Sequence, residues 1–112
     1  METKRQLRVS KLLQRELSSI FQRDAKDKYG SGMITVTKVN ITKDLSIARV
    51  YLSLFATKDK AALLESIVQR TPEIRFTLGR AVKDQLRQIP SLEFYEDDSL
   101  DYIENIEQLL LP

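Results

Sequence analysis

A chain of 112 residues with 42% apolar composition supports one domain built around a single modest core. It contains no Cys, which excludes disulfides and thiolate metal sites, and no His, which removes the commonest general base and the imidazole ligand. The net charge of +2 hides a division along the chain. Residues 1–90 hold all 18 Lys and Arg against 9 acids, a net of +9, whereas residues 91–112 hold 7 acids (Glu93, Glu96, Asp97, Asp98, Asp101, Glu104 and Glu107) and no base, a net of −7. A basic body of this kind most often meets a polyanion, and nucleic acid is the commonest one.

The N-terminal residues Met1 to Gln6 lead into an amphipathic run without an apolar h-region, and no segment approaches the roughly 18 apolar residues of a membrane span. A soluble, cytoplasmic domain is the expectation. The spacing predicts a first helix over 3–21, with Thr3 as N-cap and Val9, Leu13, Leu17 and Ile20 on one face. Lys4, Arg8, Lys11 and Arg15 fall on the opposite side. Residues 24–32 (DAKDKYGSG) read as a polar loop. Residues 33–41 read as a strand whose apolar parity changes near Lys38, so that a bulge or strong twist is needed to bring Ile34, Val36, Val39 and Ile41 to one face. After a turn at 42–46, Ala48, Val50, Leu52 and Leu54 alternate as the second strand of a hairpin.

A second helix is expected from about Thr57 or Asp59 to Arg70, burying Leu63, Leu64, Ile67 and Val68. Thr71-Pro72 caps a third helix to about Gln88, which buries Ile74, Leu78, Ala81 and Val82. Gly79 inside it costs about 1 kcal/mol relative to Ala, which suggests a close packing contact. Pro90 stops that helix, residues 92–95 form a short third strand, and a last helix from Asp98 or Ser99 to Leu111 buries Ile103, Ile106 and Leu110. The order α-β-β-α-α-β-α defines a single α+β domain, a three-stranded sheet with helices packed on one face.

That order matches a type II KH arrangement. Val36-Thr37-Lys38-Val39 with the run from Asp44 to Ser53 resembles the hairpin of the ribosome-binding factor A family. So do Ile74-Arg75 with Leu78-Gly79, the run from Arg87 to Phe94, Asp97-Asp98-Ser99, and Ile106 with Leu109-Leu110. The resemblance implies a non-catalytic bacterial factor that binds the small (30S) ribosomal subunit and 16S rRNA late in maturation. It also implies support for processing of the RNA 5′ end, a role in growth in the cold, and release by an assembly GTPase. KH domains clamp RNA with a GXXG loop, which this family replaces by a small-residue kink. Here the helix–helix junction is Gln69-Arg70-Thr71-Pro72, and Pro72 is expected to keep the kink. By this resemblance the chain is expected to stop just after its last helix, without the longer tail of some relatives.

The candidate RNA contacts form four groups: the first-helix stripe Lys4, Arg8, Lys11 and Arg15, the third-helix trio Arg80, Lys83 and Arg87, the hairpin residues Lys38 and Arg49, and Lys43 and Arg75 at the turn tip and kink. Tyr51 shares the hairpin's exposed face. Phe76 shares the trio's side and has two readings, stacking on a base or packing against a neighbouring helix, of which packing is the expectation. Asp97, Asp98 and Asp101 read as first-turn acids of the last helix rather than metal ligands, so neither metal, cofactor nor catalytic residue is expected. The acidic end could fold over a basic face and screen it. Two other functions fit less well: a helix-turn-helix DNA regulator using the third helix, and a protein–protein adaptor using the acidic last helix. A monomer is expected.

Overall fold

The computed structural model describes residues 2–30 and 33–97. The expected last helix, with Ile103, Ile106 and Leu110, lies outside the described residues, as do Asp98 and Asp101.

The chain runs through α1 (Lys4–Lys28), β1 (Met33–Ile41), β2 (Ile47–Phe55), α2 (Lys60–Gln69), α3 (Thr71–Val82) and β3 (Ser91–Glu96). The strands form one mixed sheet in the order β1-β2-β3, with β1 antiparallel and β3 parallel to the central β2. Register shifts between Val36 and Lys38, so the parity change in the sequence is a β-bulge. The extra residue rotates Val39 and Ile41 onto the side of Ile34 and Val36, and all four are buried. Gln14 of α1 reaches the bulge, its Nε2 donating to the Val36 carbonyl at 3.1 Å.

The helices cover one face of this sheet. Val9, Leu13, Leu17, Ile20 and Phe21 of α1 join Ala48, Val50, Leu52 and Leu54 of β2, Ile67 of α2, Ile74, Leu78 and Val82 of α3, and Leu92 and Phe94 of β3 in a single core. Phe21 is its aromatic centre, 5.9 Å from Tyr29 and edge-on to Phe94 at 6.0 Å. The start of α1 is fixed by a capping box: Gln6 N–H donates to Thr3 Oγ1 at 3.1 Å, and Thr3 N–H donates to Gln6 Oε1 at 2.9 Å. Gln6 is itself buried, and its Nε2 donates to the Ile41 carbonyl at 2.9 Å. One side chain thus caps the helix and ties it to the end of β1.

Two boundaries differ from expectation. Helix α1 continues past Phe21 to Lys28, because Ala25 and Tyr29 extend its apolar face and Lys28 pairs with Asp24 at 3.4 Å across one turn. Gly30, at φ +62, turns the chain out of it. Helix α3 ends at Val82 rather than near Gln88, and the Gln85 and Leu86 N–H groups both close on the Val82 carbonyl at 2.9 Å. This early stop lets Leu86 fold back onto the core and leads the chain into β3. Helix α2 keeps its expected bounds, from the Asp59 N-cap, whose carboxylate accepts from Ala62 N–H at 3.0 Å, to the Arg70 C-cap. Burial is also narrower than expected: Ala81 and Val68 are exposed and Leu64 is only half-buried, because each lies at the margin of its helix's buried stripe.

Candidate nucleic-acid interface

Lys4, Arg8, Lys11 and Arg15 are exposed along α1, away from the core. Arg15 has a loose pair with its neighbour Glu16 at 3.4 Å, while Lys4, Arg8 and Lys11 have no ion-pair partner among the described residues. The trio from the third helix does not share a helix. Arg80 lies on α3, Lys83 is its C-cap, and Arg87 lies in the irregular segment beyond it. All three are exposed and, among the described residues, none has an acidic partner.

The early end of α3 brings these groups together. Gln85 and Leu86 line a groove with Arg8, Lys11 and Arg15, so the segment after α3 runs beside α1. The next groove holds Arg5 with Arg87, beside Asp44 and Leu45 of the hairpin turn. Arg87 also faces a third groove with Arg80 and Lys83. The two stripes therefore form one basic surface on the helical layer. Lys43 is exposed at the tip of the adjoining hairpin turn.

The cations on the outer face of the sheet are differently placed. Arg49 Nε lies 3.4 Å from Glu93 Oε1, the residue opposite it in the β2–β3 register. The Lys38 ammonium sits 6.0 Å from the centre of the Tyr51 ring, which stacks on Tyr95 at 5.5 Å. The Tyr95 hydroxyl donates to Glu93 at 2.8 Å, and this bond raises the Tyr95 pKa above its ordinary value. The Arg75 guanidinium is held by the Pro90 and Ile89 carbonyls at 3.0 and 2.6 Å, where it pins the segment entering β3 against α3.

The helix–helix junction is also internally satisfied. The Arg70 guanidinium lies 5.8 Å from the Tyr29 ring centre and donates to Glu73 Oε2 at 3.2 Å. Lys28 pairs with the same Glu73 carboxylate, which holds the lysine above its ordinary pKa and the glutamate below its own. Thr71 Oγ1 donates to the Val68 carbonyl at 2.6 Å, and Pro72 occupies the first turn of α3.

Two residues of the helical surface fell outside the sequence-based set. Arg5 lies off the Lys4–Arg8–Lys11–Arg15 stripe but faces Arg87 across the groove. Arg23 lies beyond the expected end of α1 at Phe21, and lines a groove with Phe76 and Arg80. Phe76 itself corrects an expectation: it is 68% exposed and, among the described residues, is not packed against a helix, because it lies on the face of α3 turned away from Ile74 and Leu78. Among the described residues there is no cluster of three or more potential metal ligands, and no helix long and apolar enough to cross a membrane. Asp97 accepts a hydrogen bond from Thr37 Oγ1 at 2.6 Å.

A mixed three-stranded sheet in an α-β-β-α-α-β chain, with a basic layer of helices on one face, defines a small α+β domain. The chain belongs to the ribosome-binding factor A family, whose sequence model matches residues 5–110. It is 37% identical over 110 residues to ribosome-binding factor A of Cytophaga hutchinsonii, covering 98% of this chain and 83% of that protein. Identity to the Flavobacterium psychrophilum protein is 43% over 111 residues, covering 98% of this chain and 85% of the relative. The crystal structure of ribosome-binding factor A from Thermus thermophilus shares the fold, with a TM-score of 0.67 at 24% identity over 81% of this chain and 94% of that one. A Thermus thermophilus homology model fitted into the cryo-EM map of a 30S complex gives a TM-score of 0.62 at 25% identity, covering 78% and 89% of the respective chains.

Proposed function

We propose that this protein is a maturation factor of the small ribosomal subunit, which binds 16S rRNA late in assembly and supports processing of its 5′ end by contact alone, without catalysis. The observation that carries this reading is the joined basic surface of α1, α3 and the segment after α3, where Lys4, Arg8, Lys11, Arg80, Lys83 and Arg87 are exposed without acidic partners among the described residues. Unpaired cations keep their charge for an incoming phosphate, and their release of counterions drives binding. Family membership supports the ribosome as the target, and a relative fitted into a 30S complex supports the small subunit.

Phosphate and sugar contacts position a protein on folded RNA without reading sequence, so shape selects the site. The factor acts as a monomer in the cytoplasm and leaves when an assembly GTPase displaces it. If roughly six to ten phosphates are engaged, affinity falls about 10³- to 10⁵-fold between 50 and 200 mM salt. A major-groove role for α3 finds less support. Base-reading helices enter the groove by their N-terminal turn, and here that turn is Thr71-Pro72-Glu73, with Glu73 tied to Lys28 and Arg70.

Sedimentation of the tagged protein in a bacterial lysate at low and moderate salt tests the reading. It predicts co-migration with free small subunits but not with intact ribosomes or polysomes, lost when Lys4, Arg8, Lys11 and Arg15 are neutralised. Protein that stays at the top of the gradient at both salts would overturn it.

A further inference from the structure

We propose that Phe76 is a stacking platform for one unpaired nucleobase, with Arg80, Lys83 and Arg87 holding the phosphates on either side of it; this deepens the rRNA reading and rests on it. Phe76 is the most exposed large apolar side chain among the described residues, at 68%. A single exposed ring is ordinary on a protein surface, so its surroundings decide the matter. The ring stands between two grooves. One contains Arg80, Lys83 and Arg87 with Pro72 and Ile89, and the other contains Arg23, again Arg80, and Glu16. Arg80 follows Phe76 by one helical turn on the same face of α3.

An apolar protein partner would be matched by a wholly apolar rim, whereas this one sets Arg23, Arg80, Lys83 and Arg87 against the single acid Glu16. A flat ring flanked by unpaired guanidinium and ammonium groups instead matches a nucleotide, which joins an aromatic face to a phosphate. Paired bases in a duplex have their faces covered by their neighbours, so the base must be unpaired. The site is also held ready. The Arg75 guanidinium clamps the Ile89 and Pro90 carbonyls, fixing the segment that carries Arg87 against α3.

The chain contains no Trp, so Phe76→Trp adds a single fluorescent reporter where stacking is proposed. The probes are an RNA hairpin with a one-nucleotide bulge, the same hairpin fully paired, and purified small subunits. The expected result is that Phe76→Trp binds the bulged hairpin and the subunit with quenched fluorescence. Phe76→Ala should lose roughly 5- to 100-fold in affinity for the bulged hairpin, little for the paired one, and none of its salt dependence. The exposed ring makes Phe76→Ala tolerable to the fold, which circular dichroism checks. If Phe76→Ala binds every probe like the wild type while Arg80→Gln/Lys83→Gln/Arg87→Gln loses affinity, stacking is wrong and the basic surface stands. A blue-shifted, unquenched Trp on the subunit would assign Phe76 to a protein contact and overturn the proposal. Failure of the wild type to bind any probe would remove both readings.

Discussion

The two faces of this small domain carry similar residue types to opposite electrostatic ends. On the outer face of the sheet, Arg49 meets the Glu93 carboxylate, and Lys38, which keeps its charge, rests over the Tyr51 ring. On the helical layer, Lys4, Arg8, Lys11, Arg80, Lys83 and Arg87 have no acidic partner among the described residues. Counting these exposed bases already favours the helical layer by six to two, and asking which of them have an acidic partner widens the gap. An exposed pair contributes little to stability, but it lowers the local field that a phosphate would feel.

The largest expected effect comes from removing the charge of the helical layer. Arg80→Gln/Lys83→Gln/Arg87→Gln should weaken small-subunit binding by about 10- to 100-fold at moderate salt and lower the salt slope by up to about 3. Filter binding across a salt series measures both. The anchoring of that layer can be tested separately. Gln6→Ala removes a capping-box partner and the buried bond to the Ile41 carbonyl, and should cost about 1–3 kcal/mol in chemical denaturation. A loss below about 0.5 kcal/mol would mean that α1 is held by its apolar face alone.

Gly79→Ala is expected to stabilise the protein by about 0.5–1 kcal/mol, since helix propensity favours alanine. Its added Cβ would sit 3.4 Å from Ile89 Cγ1, at contact rather than overlap, so packing does not demand the glycine. On the sheet, Lys38→Gln/Arg49→Gln should change subunit affinity by less than about twofold. A drop as large as that of the helical triple variant would erase the distinction between the faces.

The smallest effect concerns pH. Hydrogen bonds from the Ser46 and Thr42 hydroxyls hold the Asp44 carboxyl below its ordinary pKa at the hairpin turn beside Arg5 and Arg87. A carboxylate whose pKa is lowered by folding stabilises the native state above its unfolded pKa, and that contribution fades as pH falls toward and below about 4. Thermal melts at pH 6 and pH 3 should therefore differ less for Asp44→Asn than for the wild type.

Much of the fold was legible because local signals agreed. The Thr3 cap, the parity change at the bulge and Pro72 in the first turn of α3 each mark their element with few residues, whereas Thr71, expected as the cap, lies inside α3, and the N-cap Arg70 makes no side-chain cap bond. The extension of α1 was obscured by the polar run from Arg23 to Lys28, although Ala25 and Tyr29 continue the spacing from Phe21. The end of α3 at Val82 carries no local stop signal; it is set by Leu86 returning to the core. The basic stripes were visible singly, but their union through Arg87 and Arg5 depends on that return. The pairing of Arg49 with Glu93 depends on β3 lying parallel to β2, a long-range fact that neither residue signals. Phe76 was expected to pack because aromatic rings usually do, and only the packed helices reveal that it is exposed among the described residues.

The central claim is that the helical face, and not the sheet, meets the ribosomal RNA. Its most direct test is the slope of log affinity against log salt for purified small subunits, compared among the wild type, the helical triple variant and the sheet double variant. A slope reduced by about 2–3 in the helical variant and unchanged in the sheet variant is the predicted result. Equal slopes in all three, or a reduction confined to the sheet variant, would contradict it.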